Sequence, residues 1–368
     1  MRVGDKFLDL QGTHKMDKQP IQHEVILGVD THLDTHVGVI IDCCGKMLDV
    51  LSIETNITGY HQLLKWARSF GNLQRAGVEG TGTYGAGLAQ VLSDHGIDVR
   101  EINRPDRSMR RFRGKSDPTD AESAARSVLS GNARAIPKLR SGAAEAMRIV
   151  SVARRSAVKA RTQTINQLRA LLVSAPESVR EKLWKTKQEQ CVDYCVRLRT
   201  LGETRSLKTL ATTLRLLAKR WLYLTAELKE LDGTLEHLTK LAAKRLRRQF
   251  GVGPQTAATL LAVAGDNPER LRSEAALAAL CGVNPLPASS GKTVRHRLNR
   301  GGDRSANNAL WTIAMVRMRS DPRTQVYVAR RTAEGKSTKE IHRCLKRYIV
   351  RELYPLILAD LSDAAVAA

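Results

Sequence analysis

Four carboxylates in the first third of the chain have the types and the spacing of a metal site. Asp30 ends the apolar run VILGVD, and Glu79 lies at the end of the later apolar run AGVEG. Asp117 and Asp120 stand three positions apart at the start of a predicted helix, so they share one helical face. Converging carboxylates repel one another unless cations balance them, and two Mg²⁺ or Mn²⁺ ions would do so while clamping a phosphodiester. The pattern therefore predicts metal-dependent phosphoryl transfer.

Two histidines follow the first of these acids in the segment HLDTH. His32 and His36 flank Asp34 and could be read as metal ligands. Histidines are also common in turns and at strand edges, and we interpret both residues in that way. The six cysteines include no Cys-x-x-Cys pair, which favours reduced structural thiols over a zinc site.

A proline-containing loop carries a candidate hydroxyl. The segment from Asn284 to Lys292 holds two prolines, which break helices, and Gly291, which frees the backbone. Ser289 and Ser290 precede that glycine. A Ser-Ser-Gly sequence occurs in many loops, so by itself it does not identify a nucleophile.

A glycine-rich turn and two basic clusters favour phosphate contact. Gly251 and Gly253 in GVGPQTA allow a tight turn before a helix whose first N–H groups are free to bind a phosphate, as in a helix-hairpin-helix element. One cluster runs into Asp117 and comprises Arg104, Arg107, Arg110, Arg111, Arg113 and Lys115. The other follows the Ser-Ser-Gly and comprises Lys292, Arg295, Arg297, Arg300 and Arg304. Because both clusters adjoin candidate site residues, we interpret them as contacts to nucleic-acid phosphates.

The elements that must position the acids follow a recognisable order. Apolar runs at 25–30, 35–42 and 46–54 predict three strands, the last two joined by a turn at 43–45. Helices are expected at 58–70, 84–95 and 117–131, with strands at 76–80 and 97–102 between them. Three antiparallel strands followed by alternating helices and strands are typical of an RNase H-like α/β domain. In that fold the ends of the first and fourth strands lie side by side.

The middle of the chain is predicted to be helical and to form a coiled coil. A heptad seam with alternating spacings of three and four runs through it, weakened at Gly233. The seam consists of Leu207, Leu210, Leu214, Leu217, Trp221, Leu224, Leu228, Leu231, Leu235 and Leu238. Residues 145–175 form a second amphipathic helix that ends at Pro176. The seam could close against this helix within one chain or between two chains.

The predicted organisation has four parts. Residues 1–22 are a flexible polar tail, and residues 23–140 form the RNase H-like domain. Residues 141–248 form a helical coiled-coil dimerisation region. Residues 249–368 form a mostly α-helical domain with the helix-hairpin-helix and the serine loop.

Charge restricts the class of partner. The net charge is +23, and the isoelectric point is near 10.2. Such a surface attracts polyanions. No apolar run reaches the roughly 18 residues of a membrane helix, and the N-terminus lacks the apolar core of a signal peptide. We therefore expect nucleic acid in the cytoplasm as the partner, and no membrane.

The ordered segments of the chain resemble one family. They are GVDTHLDTH, GVEGTGTYG, NRPDRSMRRFRGKSDPTDAESAAR, FGVGPQTAATLLA and GVNPLPASSGKTVRHRLNRGGDRSANNAL. The chain beyond residue 22 is similar to the DEDD transposases of bacterial insertion sequences, the family of bridge-RNA-guided recombinases. The resemblance implies a RuvC-like, Holliday-resolvase-like domain with the metal ligands Asp30, Glu79, Asp117 and Asp120.

The resemblance further implies the chemistry and the partners. A serine of the Ser-Ser-Gly is the nucleophile, for which we choose Ser290 and keep Ser289 as the second choice. The partners implied are the DNA of the element ends and target, a noncoding guide RNA, and further copies of the chain in a dimer or tetramer.

Three other functions compete with this interpretation. A Holliday-junction-type structure-specific endonuclease of the same fold would use water and need no serine. A sugar-kinase or actin-like ATPase also begins with an Asp-bearing hairpin, but a net charge of +23 fits it poorly. An architectural DNA-binding protein would leave four placed acids unexplained.

Overall fold

The computed structural model describes residues 23–102, 116–184, 186–292 and 296–366. The chain divides into two compact units, Met1–Pro137 and Lys138–Ala368. The first is a mixed α/β unit and the second is mostly helical.

The first unit is built on a five-stranded sheet with strand order β3-β2-β1-β4-β5. Strands β1 and β2 and strands β2 and β3 pair antiparallel, whereas β1–β4 and β4–β5 are parallel. Its elements are β1 (Glu24–Thr31), β2 (Thr35–Asp42), β3 (Met47–Glu54), α1 (Ile57–Ser69), β4 (Asn72–Glu79), α2 (Ala86–Asp94), β5 (Asp98–Ile102) and α3 (Asp117–Leu129). The predicted order of strands and helices is confirmed.

Both faces of the sheet are covered, because alternate residues of each strand point to opposite sides. Val25, Leu27 and Val29 of β1 belong to a core that includes residues of α1 and α2. Ile26 belongs to a second core, shared with Ala121 and other residues of α3. The sheet therefore lies between α1 and α2 on one side and α3 on the other.

The second unit contains the predicted helices and one short hairpin. Its elements are α4 (Ala143–Val173), α5 (Glu177–Leu183), α6 (Gln188–Arg197), α7 (Arg205–Ala242), α8 (Lys244–Arg247), α9 (Pro254–Ala264), a 3₁₀ turn (Pro268–Arg270), α10 (Glu274–Leu280), β6 (Pro285–Pro287), β7 (His296–Leu298), α11 (Arg304–Ser320), α12 (Pro322–Ala333) and α13 (Thr338–Val366). Helix α7 continues through Gly233 without interruption.

The heptad seam closes within the chain. Leu224 and Leu228 of α7 share a small core with Ala157 of α4, and Leu214 shares a core with Leu168. Residues late in α7 thus meet residues early in α4, so the two helices are antiparallel. Of the two arrangements left open by the heptads, the structure has the intramolecular one.

One large core joins the two helical regions that the sequence separates at 248. Met147 of α4 and Leu235 of α7 share a cluster with Leu261 of α9, Ile313 of α11 and Leu353 of α13. The long helices and the C-terminal helices therefore belong to one compact unit.

Candidate active site

Two of the four predicted acids lie at the C-terminal ends of neighbouring parallel strands. Val29 of β1 is paired with Val78 of β4, and Asp30 and Glu79 are the next residues of these strands. The hydroxyl of Thr31 donates a hydrogen bond to the backbone carbonyl oxygen of Glu79, at 2.9 Å. The two acids consequently lie at the same edge of the sheet.

Glycines two positions before these acids let α3 rest on the sheet. A Cβ atom on Gly28 would lie 2.0 Å from the carbonyl oxygen of Ala121, and one on Gly77 would lie 2.7 Å from that of Ala124. Residues two apart in a strand face the same side. The side of the sheet that carries Asp30 and Glu79 is therefore the side covered by α3.

The other two acids occupy the first turn of α3. Asp117 and Asp120 lie there, with Ser116 at the position preceding the helix. Asp120 is buried, whereas the Asp117 side chain is 48% exposed. Their placement beside the sheet follows from the packing of Ala121 on Gly28, since Asp120 directly precedes Ala121.

The structure adds His32 to the site. Its Nε2 atom lies 3.2 Å from Oδ2 of Asp30 and 3.4 Å from Oδ1 of Asp117. Ligand atoms of these three residues all lie within 4.8 Å of one another, an arrangement that could hold a metal ion. Sequence interpretation treated His32 as a turn residue, because its contact with Asp117 depends on the distant helix α3.

The second histidine lies in the core. His36 is fully buried, stacks on Tyr60 with ring centroids 5.7 Å apart, and contacts the Thr55 hydroxyl through Nδ1 at 3.3 Å. Burial lowers its pKa. Burial therefore favours the neutral imidazole, and His36 lies near the start of β2 with its side chain in the core.

The electrostatics of the cluster suit a cation. Burial raises the pKa of Asp30; the nearby carboxylates of Asp117 and Asp120 raise that pKa further, and His32 opposes them. The protein's own groups therefore do not fully stabilise the ionised form of Asp30. Carboxylate oxygens with one imidazole are a plausible set of ligands for a divalent metal, so these residues fit such an ion.

The serine loop lies in the second unit, at the end of the β6–β7 hairpin. Pro285 pairs with Leu298 and Pro287 with His296. Ser289 and Ser290 follow strand β6 and are exposed. Gly291 has a φ of +54°, a left-handed conformation that favours glycine.

Close backbone packing and hydrogen bonds fix the base of this hairpin. A Cβ atom on Gly302 would lie 2.1 Å from the backbone nitrogen of Gly282. The Asn299 amide donates to Oδ1 of Asn284 at 2.8 Å, and the backbone nitrogen of Asp303 donates to the carbonyl oxygen of Leu280. The serine loop therefore projects from a fixed base.

The structure describes some of the residues predicted to contact phosphate, and these stay predictions. Gly251 has a φ of +83°, a left-handed conformation that favours glycine, whereas Gly253 directly precedes α9 with an extended backbone that other residues also adopt. The side chains of Lys292, Arg297 and Arg300 are exposed. Arg304 is exposed as well. The remaining predicted contacts lie outside the described residues: Arg104, Arg107, Arg110, Arg111, Arg113, Lys115 and Arg295.

Comparisons with known proteins match both units. Residues 27–175 match the IS110 family of DEDD transposases. Residues 243–329 match the transposases of the IS116/IS110/IS902 family. These two segments include all four acids and the serine loop.

A curated relative gives the same assignment over a shorter stretch. The chain is 32% identical over 108 residues to a protein of Streptomyces coelicolor named as an uncharacterised 43.6 kDa protein of insertion element IS110. This stretch covers 29% of the chain and 26% of that relative. The alignment thus spans about a quarter of the relative's length. Among the described residues, every helix is too short or too polar to cross a membrane.

Proposed function

The chain belongs to the IS110 family of DEDD transposases, and we propose on that basis that it cleaves and exchanges DNA strands as an insertion-sequence transposase. The observation that carries the proposal is the convergence of Asp30, His32 and Asp117 on one small volume. A carboxylate at the end of an otherwise buried strand is costly without a functional partner. The sheet order β3-β2-β1-β4-β5 supports the RNase H-like assignment of this unit.

In this proposal four acids hold Mg²⁺ or Mn²⁺. Asp30 and Glu79 are fixed by paired strands, and Asp117 and Asp120 by the first turn of α3. Bound divalent cations would stabilise the negative charge that develops on a phosphodiester under attack. The protein contributes the fixed geometry, because α3 cannot move closer to the sheet than the backbone contact at Gly28.

Ser290 is the proposed nucleophile. Its Oγ forms a bond to phosphorus as the bond from phosphorus to a deoxyribose oxygen breaks. The hydroxyl proton leaves Ser290, and the departing deoxyribose oxygen takes up a proton. Lys292 and Arg297 follow in the hairpin and supply positive charge for the transition state. Rejoining reverses these steps with another strand end.

The proposed partners follow from the same assignment. They are the DNA of the element ends and target, a noncoding guide RNA, and further copies of the chain, acting at the bacterial nucleoid. The turn at Gly251 and Gly253 is proposed as a helix-hairpin-helix contact to a DNA phosphate, and the exposed side chain of Arg300 as a second contact.

Trapping of a covalent adduct tests the proposal. Protein is incubated with end-labelled element DNA and a divalent ion, denatured, and examined for a protease-sensitive shift of the DNA. Ser290→Ala should lose the adduct and Ser289→Ala should keep it. Losing a single hydrogen bond would reduce activity roughly tenfold at most, whereas losing the nucleophile removes strand transfer.

Two outcomes would change the assignment. An adduct that persists in Ser290→Ala and disappears in Ser289→Ala moves the nucleophile to Ser289. Cleavage without an adduct in the wild type identifies a water-using endonuclease of the Holliday-junction type.

Asp30→Asn and Asp120→Asn should abolish cleavage with the fold intact, and full activity in excess EDTA would exclude the metal site.

A further inference from the structure

A basic cleft of about 750 Å³ lies within the second unit, between the β6–β7 hairpin and helix α13. One wall comes from the hairpin and its base, at 282–285 and 296–299, and the other from residues 336–351. Six cationic side chains line it: Arg297, Lys336, Arg343, Lys346, Arg347 and Arg351. The predicted basic cluster after the serines therefore contributes to a larger basic surface.

Positive charge in the cleft is poorly balanced. Glu340 is the one acidic side chain among the described residues that line it, and a hydrogen bond from Ser337 lowers its pKa. Arg347 is paired with Glu274. Within the described part of the chain, neither Arg343 nor Arg351 forms a hydrogen bond or an ion pair within 4 Å, and both are exposed, although Arg343 is near enough to Glu340 to help lower the pKa of that carboxyl. These two guanidinium groups are available to an anionic ligand.

The cations are arranged in a row. Arg343, Arg347 and Arg351 follow one another at intervals of four along α13, so they share one face and are about 6 Å apart along the helix axis. Tyr348 lies between them in sequence, lines the same cleft and is 52% exposed. A row of cations beside an exposed aromatic ring is the combination by which proteins hold single strands, with phosphates on the cations and a base on the ring.

Hydrogen bonds within the protein join the two walls of the cleft. Lys346 Nζ donates a hydrogen bond to Oδ1 of Asn307 at 2.8 Å. The amide of Asn307 in turn donates to the carbonyl oxygens of Cys281 and Gly282 at the base of the hairpin. Helix α13 and the base of the serine hairpin are thus held together from within, so a ligand does not have to order them.

We propose that this cleft binds a single-stranded segment of nucleic acid. The inference rests on the proposed function, since it supplies the strand on which the serine hairpin would act. The cleft would recognise an unpaired sugar–phosphate backbone and an unstacked base. A DNA strand and an RNA strand can both offer these. A duplex is disfavoured because its bases are already stacked and cannot reach Tyr348.

Substitution of the two unpaired arginines tests the cleft. Arg343→Gln together with Arg351→Gln in the full chain should weaken binding of a labelled single-stranded oligonucleotide roughly tenfold or more. Two single-strand phosphate contacts contribute about 1.4 to the slope of log affinity against log salt, so the slope should fall by about that amount. The matched control, Arg319→Gln with Arg323→Gln, removes the same charge from exposed positions of the same unit outside the cleft.

The aromatic ring is tested separately. Tyr348→Ala should weaken single-strand binding roughly tenfold, and Tyr348→Phe should restore it, because stacking needs the ring and not the hydroxyl. Thermal unfolding of each variant shows whether the fold is kept. Tyr348→Phe, which keeps the ring, checks the cleft even where Tyr348→Ala unfolds.

Single-stranded DNA, RNA of the same sequence and the DNA duplex are compared as probes. A loss confined to the DNA strand assigns the cleft to DNA, and a loss confined to the RNA strand assigns it to RNA. A loss that is equal or larger with the duplex overturns the single-strand proposal, as does unchanged binding of both single strands. A wild-type chain that traps the DNA adduct while the cleft variants bind normally refutes this inference alone. A wild-type chain without strand cleavage refutes the proposed function instead.

Discussion

Gly28 in β1 lies against the backbone of Ala121 in α3 so closely that a Cβ atom on the glycine would be 2.0 Å from the Ala121 carbonyl oxygen. Asp30 follows this glycine by two positions, and Asp120 precedes Ala121 by one. A single backbone contact therefore brings the acid of the strand and the acid of the helix to the same end of the interface.

Substituting Gly28 should damage both the fold and the metal site. In Gly28→Ala the added methyl group meets main-chain atoms, which cannot rotate away, so helix α3 must move. Overpacking of this kind costs about 1–3 kcal/mol of unfolding free energy. Urea denaturation measures that loss, and titration calorimetry with Mn²⁺ should show weaker binding.

Gly233→Ala is the control for this prediction. Gly233 lies within α7 and has no heavy atom within 4 Å of an added Cβ. Alanine in a helix interior should raise the unfolding free energy by about 0.5–1 kcal/mol. Wild-type metal affinity in Gly28→Ala would show that the helix position does not determine the site.

Asp30 should destabilise the metal-free protein at neutral pH. Burial and the neighbouring acids raise its folded-state pKa above the ordinary value of 3.8. The folded chain therefore binds this proton at a higher pH than the unfolded chain does, and stability decreases as pH rises from about 3.8 through the raised pKa. Asp30→Asn should accordingly be more stable than the wild type at neutral pH in EDTA.

The gain should disappear as pH falls below 3.8, because Asp30 is then protonated in both the folded and the unfolded state. Urea denaturation at the two pH values measures it. Asp34→Asn removes the same charge from an exposed side chain and should show no comparable gain. A gain in Asp30→Asn that does not depend on pH would rule out ionisation as its cause.

The strand-end acids could be predicted because local pattern determines them. A carboxylate after a run of buried residues marks a strand end, and the order of elements makes β1 and β4 neighbours. A further signal in the sequence is the repeated Gly-Val-acid tripeptide, at Gly28–Asp30 and Gly77–Glu79. In both copies the glycine lets helix α3 pack closely on the sheet, and the acid two positions later lies on the same face of the strand.

The role of His32 could not be predicted in this way. His32 follows β1 directly, and its direction depends on a turn and on the position of Asp117 in α3, far along the chain. The partner of the heptad seam was equally open, because an apolar stripe on one helix does not specify which second stripe covers it. The coverage by α4 arises from tertiary packing of Ala157 and Leu168.

The intramolecular closure of the seam predicts unfolding rather than dissociation in seam variants. Leu228→Ala removes a side chain that is 4% exposed and should cost about 2–5 kcal/mol. Leu216→Ala, on the same helix at 61% exposure, should change stability by about 0.5 kcal/mol or less. Thermal unfolding by circular dichroism measures both.

Charge placed at Leu217 and Leu224 gives the matching test of assembly. Leu224 is buried against α4, so a carboxylate there should lower helix content. Sedimentation and circular dichroism are measured on the same sample. Dissociation into smaller species that keep wild-type helicity would show that the seam joins separate chains, as the dimerisation hypothesis holds.

His32 should make the site prefer ions that accept nitrogen ligands. Its Nε2 atom lies between Asp30 and Asp117, in the set of atoms that could surround one ion. Imidazole suits Ni²⁺, whereas Mg²⁺ takes oxygen ligands. His32→Gln should therefore weaken Ni²⁺ binding roughly tenfold or more, the size of effect seen even for outer-shell partners of metals, and change Mg²⁺ binding much less. Calorimetric titration with each ion measures both affinities.

The control is His237→Gln, which changes an exposed histidine of α7 and should leave both affinities unchanged. Equal losses for Ni²⁺ and Mg²⁺ in His32→Gln would mean that the imidazole balances the charge of the two acids and does not ligate the ion.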